Sequence, residues 1–265
     1  MKTRIVPGIL AVAFAVLIGS GPALFADGGT FSIGMGYQLG LTKKLDPKVQ
    51  NGEAGEVNVT NGLAFNLRYL PGSSRSVGVV VKGSFGGLNK MVWQNPAYTF
   101  ISSGDPVPAG GWGGFTATQL DSLKDYLPQE TYTFTKDNGT LLYYEVFLGG
   151  AFEILLIEPF SVILDAGLAF HHRNVSYREI LEEGRIFSAE LTTSTIGFGL
   201  GIGAQFAFTD MFYAELGASF TWDFLQFGST QIKVDDTSII DTNSHGKRAG
   251  FLNFGTPYIL LGIKL

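Results

Sequence analysis

The chain has 265 residues, a formal net charge of −5, 36 glycines, 22 phenylalanines, no cysteine and 15% charged residues. That composition argues against a soluble enzyme, which carries more surface charge, against nucleic acid as a partner, since no basic stripe occurs, and against disulfides or thiolate metal sites. A helical membrane protein is disfavoured too: beyond the N-terminus no run of about 20 apolar residues occurs, and the nearest, 146–170, is broken by Glu153, Glu158, Pro159 and Asp165.

The chain opens with Lys2 and Arg4, an apolar core at 9–18 and a helix-breaking Gly19, Ser20, Gly21 and Pro22. A positive start and a short apolar core match a secretory signal better than a spanning helix. Cleavage after Ala26 puts Leu24 at the minus-three position, and cleavage after Ala23 puts Gly21 there. Residues 1–26 are therefore read as a signal peptide and 27–265 as one domain, with an uncleaved anchor as the other reading. Removing Lys2 and Arg4 takes the formal charge from −5 to −7.

From there the sequence alternates. Phe31, Ile33, Met35, Tyr37, Leu39 and Leu41 are separated by Ser32, Gly34, Gly36, Gln38 and Gly40. Successive side chains of a strand point to opposite faces, so one face is apolar and the other small or polar. The pattern returns at 63–69, 77–86, 144–154, 160–171, 196–208, 212–224 and 258–265. Most of these segments reach the roughly 9–11 residues of a tilted membrane strand.

The connections alternate as well. Those at 71–75, 155–159 and 209–211 are tight, and those at 42–60, 87–140, 172–190 and 226–250 are long. Short periplasmic turns and long outer loops are the habit of outer-membrane barrels, and a sandwich has no reason to sort its loops this way. Tyr69, Phe160, Phe208 and Phe212 stand beside the tight turns on the apolar face. Phe85, Tyr144, Phe170, Trp222 and Phe224 stand at its other end, so two aromatic girdles are expected. The reading is all-β: an eight-stranded antiparallel up-and-down transmembrane β-barrel with long extracellular loops and both termini periplasmic.

In strand count, alternation and loop rhythm, residues 30–265 resemble the small eight-stranded outer-membrane barrels, the superfamily of the OmpA transmembrane domain and the OmpX and OmpW types. The resemblance implies an outer-membrane location, with outer-membrane lipid and the barrel-assembly machinery as partners. Two departures stand out. The family commonly ends in an aromatic residue read by that machinery, and this chain ends in Leu265. Pro257 cannot donate to a ladder, so a bulge or a late strand start is expected there.

An eight-stranded barrel encloses little more than its own side chains or one small ligand. The inward parity selects Arg68, Lys82, Glu145, Glu153, Asp165, Glu215 and Lys264, with Asn66 and Gln205. Charges in so narrow a space need partners, and the expected pairs are Lys82 with Glu145 and Glu215 with Lys264. Such a network reads as an ionic plug, with a gated path as the alternative. Strict parity also turns Tyr143, Phe147, Val175, Tyr177, Phe187, Leu191, Leu225 and Phe254 inward at the outer end, where the fifth and sixth barrel strands are expected to rise past the membrane and turn at 182–185. That apolar mouth reads either as the packed core of an extended hairpin or as a cradle for a small hydrophobic solute, the role an OmpW-type resemblance implies.

No enzyme is expected. His171 faces in, His172 faces out, and no serine stands beside either at strand spacing; Asp223 and Ser219 point inward two strands away. A lipid A-modifying enzyme is the third and weakest alternative. No cofactor or metal is expected, and Asp235, Asp236 and Asp241 lack calcium-loop spacing. In the long second loop, Thr118 and Asp121 fit a capping box ahead of Leu120, Leu123 and Leu127. Trp93, Trp112 and Phe115 are apolar anchors there, either capping the mouth or binding a host or envelope partner.

Overall fold

The computed structural model describes residues 29–39, 42–45, 55–59, 62–71, 77–94, 116–119, 121, 131–135, 137, 139–180, 184–253 and 257–265. The expected signal segment 1–26, Trp112, Phe115 and Phe254 lie outside them. The described strands are β1 (Thr30–Gln38), β2 (Thr42–Leu45), β3 (Gly55–Val59), β4 (Gly62–Leu70), β5 (Val77–Gln94) and β6 (Thr131–Thr135). They continue with β7 (Gly139–Ile157), β8 (Phe160–Ile180), β9 (Ile186–Ala207), β10 (Phe212–Val234), β11 (Thr237–Asn253) and β12 (Pro257–Lys264). No described helix is long and apolar enough to cross a membrane.

Eight of these strands close into a ring, β1-β4-β5-β7-β8-β9-β10-β12, and every neighbouring pair is antiparallel. Closure comes from β1 against β12, with Ser32 opposite Lys264 and Gln38 opposite Tyr258. A closed ring leaves no unpaired edge, which is why a barrel rather than an open sheet can sit in lipid.

The alternation of the sequence becomes an inside-out distribution. Outward side chains such as Met35 (65% exposed), Leu200, Leu216 and Leu261 form an apolar belt, while Ser32, Asn66, Arg68, Asp165, Gln205 and Glu215 are buried inside. So large an exposed apolar surface requires an apolar surrounding. Phe160, Phe208 and Phe212 are exposed at the turn end of the belt, with Phe85 and Trp222 at the other. Tyr69 departs from this scheme: it is buried, its ring lying close to the Gly29 backbone.

Strand runs into the stretches expected as long connections. As expected for the fifth and sixth barrel strands, β8 and β9 rise as a hairpin, paired from His172 with Ser194 up to Ile180 with Ile186. Strands β2 and β3 fall within 42–60, and the end of β5 and β6 within 87–140. The stretch 226–250 is the upper part of the β10–β11 hairpin. Its two-residue turn at Asp235 and Asp236, with φ of 49° and 63°, has the handedness that matches strand twist. At Pro257 the ladder restarts: β11 ends at Asn253, β12 begins at Pro257, and the Pro257 carbonyl accepts the Leu39 N–H at 2.8 Å. Proline keeps its acceptor while its missing donor falls at a strand start.

The helix expected after Thr118 starts earlier. Helix is described at 117–119 and at 121. Thr116 Oγ1 accepts the Gln119 N–H at 3.3 Å and Gln119 Oε1 accepts the Thr116 N–H at 2.8 Å, so the capping box is Thr116 with Gln119 rather than Thr118 with Asp121. Leu123 and Leu127 lie outside the described residues.

Candidate functional site: the barrel lumen and its mouth

The lumen is filled in layers. At the turn end Lys264 of β12 approaches Glu153 of β7, directly across the ring, at 3.7 Å, and Ser161 donates to Glu153 Oε1 at 2.8 Å. At mid-height Arg68 of β4 donates to both carboxylate oxygens of Glu215 on β10, at 3.0 and 3.3 Å. Tyr258 donates to Glu215 Oε1 at 2.8 Å and accepts from Lys82 Nζ at 2.9 Å, and Lys82 also pairs with Asp165. Two cations and two anions are thus held by one tyrosine into a single cluster spanning the lumen.

The partners are not those the sequence suggested. Lys82 pairs with Asp165 and Tyr258 instead of Glu145, and Lys264 with Glu153 instead of Glu215. The reason is the tilt of barrel strands: residues of adjacent strands that share a face stand at different heights, so a long side chain meets its equal in height two to four strands away. Glu145 belongs to a third layer. It accepts from Tyr143 at 3.1 Å and lies 3.8 Å from His171 Nε2, while Asp223 lies 3.8 Å from His171 Nδ1. Arg173, Thr195 and Gln226 are buried near this level and were missed by the sequence reading. Tyr258 was also missed as a lumen partner, although its inward parity is legible.

Space for these side chains comes from glycine. A Cβ on Gly199 would stand 2.7 Å from the Phe147 ring, on Gly201 2.8 Å from Asp165 Oδ2, and on Gly203 3.0 Å from Glu215 Oε1. The alternating glycines of β9 are therefore the small partners of the bulky inward groups, as close packing requires. A cavity of about 40 Å3, room for very few water molecules, is bordered by Gln38, Lys82, Glu145 and Tyr258, and a more open one of about 540 Å3 is bordered by Ala151, Asp165 and Gly201 together with the outward Leu164 and Leu200.

Above the charged layers Tyr143, Val175, Tyr177, Phe187 and Leu191 are all buried, and Ala189, Ile232 and Val234 join them. Phe147 is buried lower, opposite Lys82 and Ala169 and packed with Leu70, Val80 and Ala151, so it fills the lumen below the Glu145–His171 level instead of lining the mouth. Leu225 does not. A register shift between Asp223 and Leu225 sets Leu225 opposite Ile196 and Gln226 opposite Thr195. One extra residue, Phe224, reverses the faces: Leu225 sits on the side of Ile196, and Gln226 is the buried residue.

A serine does stand beside a histidine. His172 Nδ1 lies 2.9 Å from Ser194 Oγ across β8 and β9, and the His172 ring stacks on Tyr144 at 4.7 Å. Nucleophilic catalysis also needs a group to orient the base. The nearby carboxylates Glu145 and Asp223 face the lumen, on the other side of the wall. The pair is a polar contact at the upper girdle. No cluster of three metal-ligating side chains occurs among the described residues.

No family model matches the chain, and no curated protein matches it in sequence. Solved structures do match. A major outer membrane protein from Thermus thermophilus superposes with a TM-score of 0.51 at 12% identity, covering 90% of this chain and 100% of that one. The chain has the fold of the small outer-membrane β-barrels. Two further similar structures are Neisserial surface protein A (TM-score 0.39, 10% identity, 89% of this chain and 95% of that one) and Ail of Yersinia pestis in complex with the heparin analogue sucrose octasulfate (TM-score 0.39, 15% identity, 89% and 99%). The exposed apolar belt is the outer surface of this barrel, and the layered charges are the filling of its lumen.

Proposed function

We propose that the protein is a surface-exposed outer-membrane barrel whose lumen is closed and whose long hairpins make its contacts. The reading rests on the cluster of Arg68, Glu215, Tyr258, Lys82 and Asp165, which crosses the lumen as a connected set of hydrogen bonds and ion pairs. An ion would have to displace buried, mutually neutralised charges, at a cost of several kcal/mol per charge left unpaired. In this reading the hairpins β8–β9 and β10–β11 stand outside the cell and both chain ends are periplasmic. The signal at 1–26 is removed on export, and the assembly machinery inserts the strands.

A carrier of small apolar solutes has less support. Val175, Tyr177, Phe187 and Leu191 are buried by protein, the state of a packed hairpin core rather than of an open cradle. Planar-bilayer recording of refolded protein tests the choice. Wild type is expected to show no sustained conductance, and the double variant Arg68→Ala with Glu215→Ala is expected to open small, frequent current steps. A steady open channel in the wild type would overturn the closed-lumen reading. Orientation is tested separately: Ser238→Cys should react with an impermeant maleimide on intact cells, and Thr209→Cys should not.

A further inference from the structure

The outward alternation also fails at the turn end of β7. Along β7 every second residue from Tyr144 to Ile154 is on the lipid-facing side, and then Leu155, Leu156 and Ile157 follow with no polar residue between them. All three are mainly exposed, Ile157 at 77%. A register shift between Leu155 and Ile157 takes Leu156 out of the ladder, so the strand end turns apolar side chains to both sides. Phe160, across the turn, is exposed too, as are Phe208 and Met211 of the neighbouring turn. The connection after β4 has the opposite character, reading Gly72, Ser73, Ser74, Arg75 and Ser76.

Turns that face water do not gather apolar residues, and an exposed apolar cluster marks a contact surface. This cluster runs into the lipid-facing belt with no polar border between them. It lengthens the belt on one flank: from Tyr144 to Ile157 it covers 14 residues of β7, whereas it covers 5 on β4, Leu63 to Leu67, 9 from Phe31 to Leu39 along β1, and 7 from Ile259 to Leu265 along β12. With about 3.3 Å of rise per residue and a tilt of 35–45°, these correspond to roughly 30–35 Å of height on β7 and roughly 10–20 Å on the others.

We propose that the β7–β8 turn lies within the acyl layer, with lipid chains around Leu155, Leu156 and Ile157 and only Glu158 reaching the headgroups. The barrel then has a tall lipid-facing flank on the β7 side and a shorter one around β12, β1 and β4. A bilayer meeting two hydrophobic heights on one protein thins at the short flank or thickens at the tall one. Lipid is the occupant because the patch is a continuation of a surface that lipid already covers. The inference needs the barrel to be in a membrane but does not depend on the lumen being closed.

Nitroxide labels at Leu156→Cys and Ser74→Cys, in protein refolded into phosphatidylcholine vesicles, read this directly. Folding is checked by heat-modifiable gel mobility, and Ile157→Cys serves as a second tip site. The tip labels are expected to collide freely with oxygen and to be several-fold less accessible than the Ser74 site to a water-soluble nickel chelate. Equal chelate access at tip and Ser74 sites would overturn the proposal. So would tip labels shielded from both reagents together with disulfide cross-linking between copies, since a second copy would then cover the patch.

Discussion

Arg68 and Glu215 are 2% and 0% exposed and hold each other through two hydrogen bonds, so neither can be removed alone without stranding a charge. Breaking such a pair typically costs about 3–5 kcal/mol, whereas replacing both members by apolar groups of similar volume is often neutral. Glu215→Gln is expected to lower unfolding stability in vesicles by several kcal/mol, and Arg68→Met with Glu215→Leu to restore most of it; urea titration of tryptophan fluorescence measures both. Partner choice shows how far the sequence could be read at this scale. The inward residues follow from parity alone, because Arg68, Lys82 and Asp165 each alternate with a run of apolar residues on their strand, such as Leu63, Phe65 and Leu67 on β4. Which cation meets which anion depends on relative heights around the ring, set by register, and register is not written in any single strand. The His172 contact with Ser194 was hidden for the same reason: the two are 22 positions apart and become neighbours only through the β8–β9 pairing.

At the scale of elements, each strand is held by one face in lipid and one in the lumen. Leu200, 61% exposed near the middle of the β9 belt, faces lipid between Gly199 and Gly201. Leu200→Arg is expected to cost about 2–4 kcal/mol in the same titration, because a cation near the bilayer midplane loses its hydration. The β10–β11 turn supplies a contrasting pair. Both turn residues have positive φ, and Asp235 also accepts the Ile186 N–H on its carboxylate at 2.8 Å. Asp236→Gly is expected to stabilise by about 0.5–1 kcal/mol, since glycine adopts that backbone without strain. Asp235→Gly should gain nothing, because the contact to β9 is lost. Elements were legible where alternation is clean. The upper β10–β11 hairpin read as a loop because Ser229, Gln231 and Lys233 occupy outward positions above the belt, so the apolar contrast fades although the strand continues, whereas the rise of β8 and β9 was legible in the alternation of Val175, Tyr177, Phe187 and Leu191. Leu225 was misplaced because a single extra residue, Phe224, shifts parity without leaving a mark in composition.

The described molecule divides into an apolar-belted ring packed with paired charges and a set of hairpins that continue its wall beyond the girdle. In the proposed reading the ring places the protein in the membrane and closes the lumen, and the hairpins make its contacts. Circular architecture was legible because long and short connections alternate and one face of each strand is apolar. The hairpin surfaces were not, since a polar strand and a polar loop have similar compositions.

The last residue of the chain is bonded to nearly the first of the ring: Leu265 donates to the Phe31 carbonyl at 2.7 Å and accepts from the Phe31 N–H at 3.2 Å. The ring is sealed by β12, whose Tyr258–Lys264 pair with Ser32–Gln38 of β1. Until the final nine positions arrive, two raw borders with unsatisfied amides lie some two hundred positions apart in sequence, and the entropy of joining them has to be met in one late step. Deleting 257–265 should therefore yield a product that never acquires heat-modifiable mobility and that aggregates, rather than a seven-stranded ring. A nascent chain in this state depends on being shielded until its two ends meet.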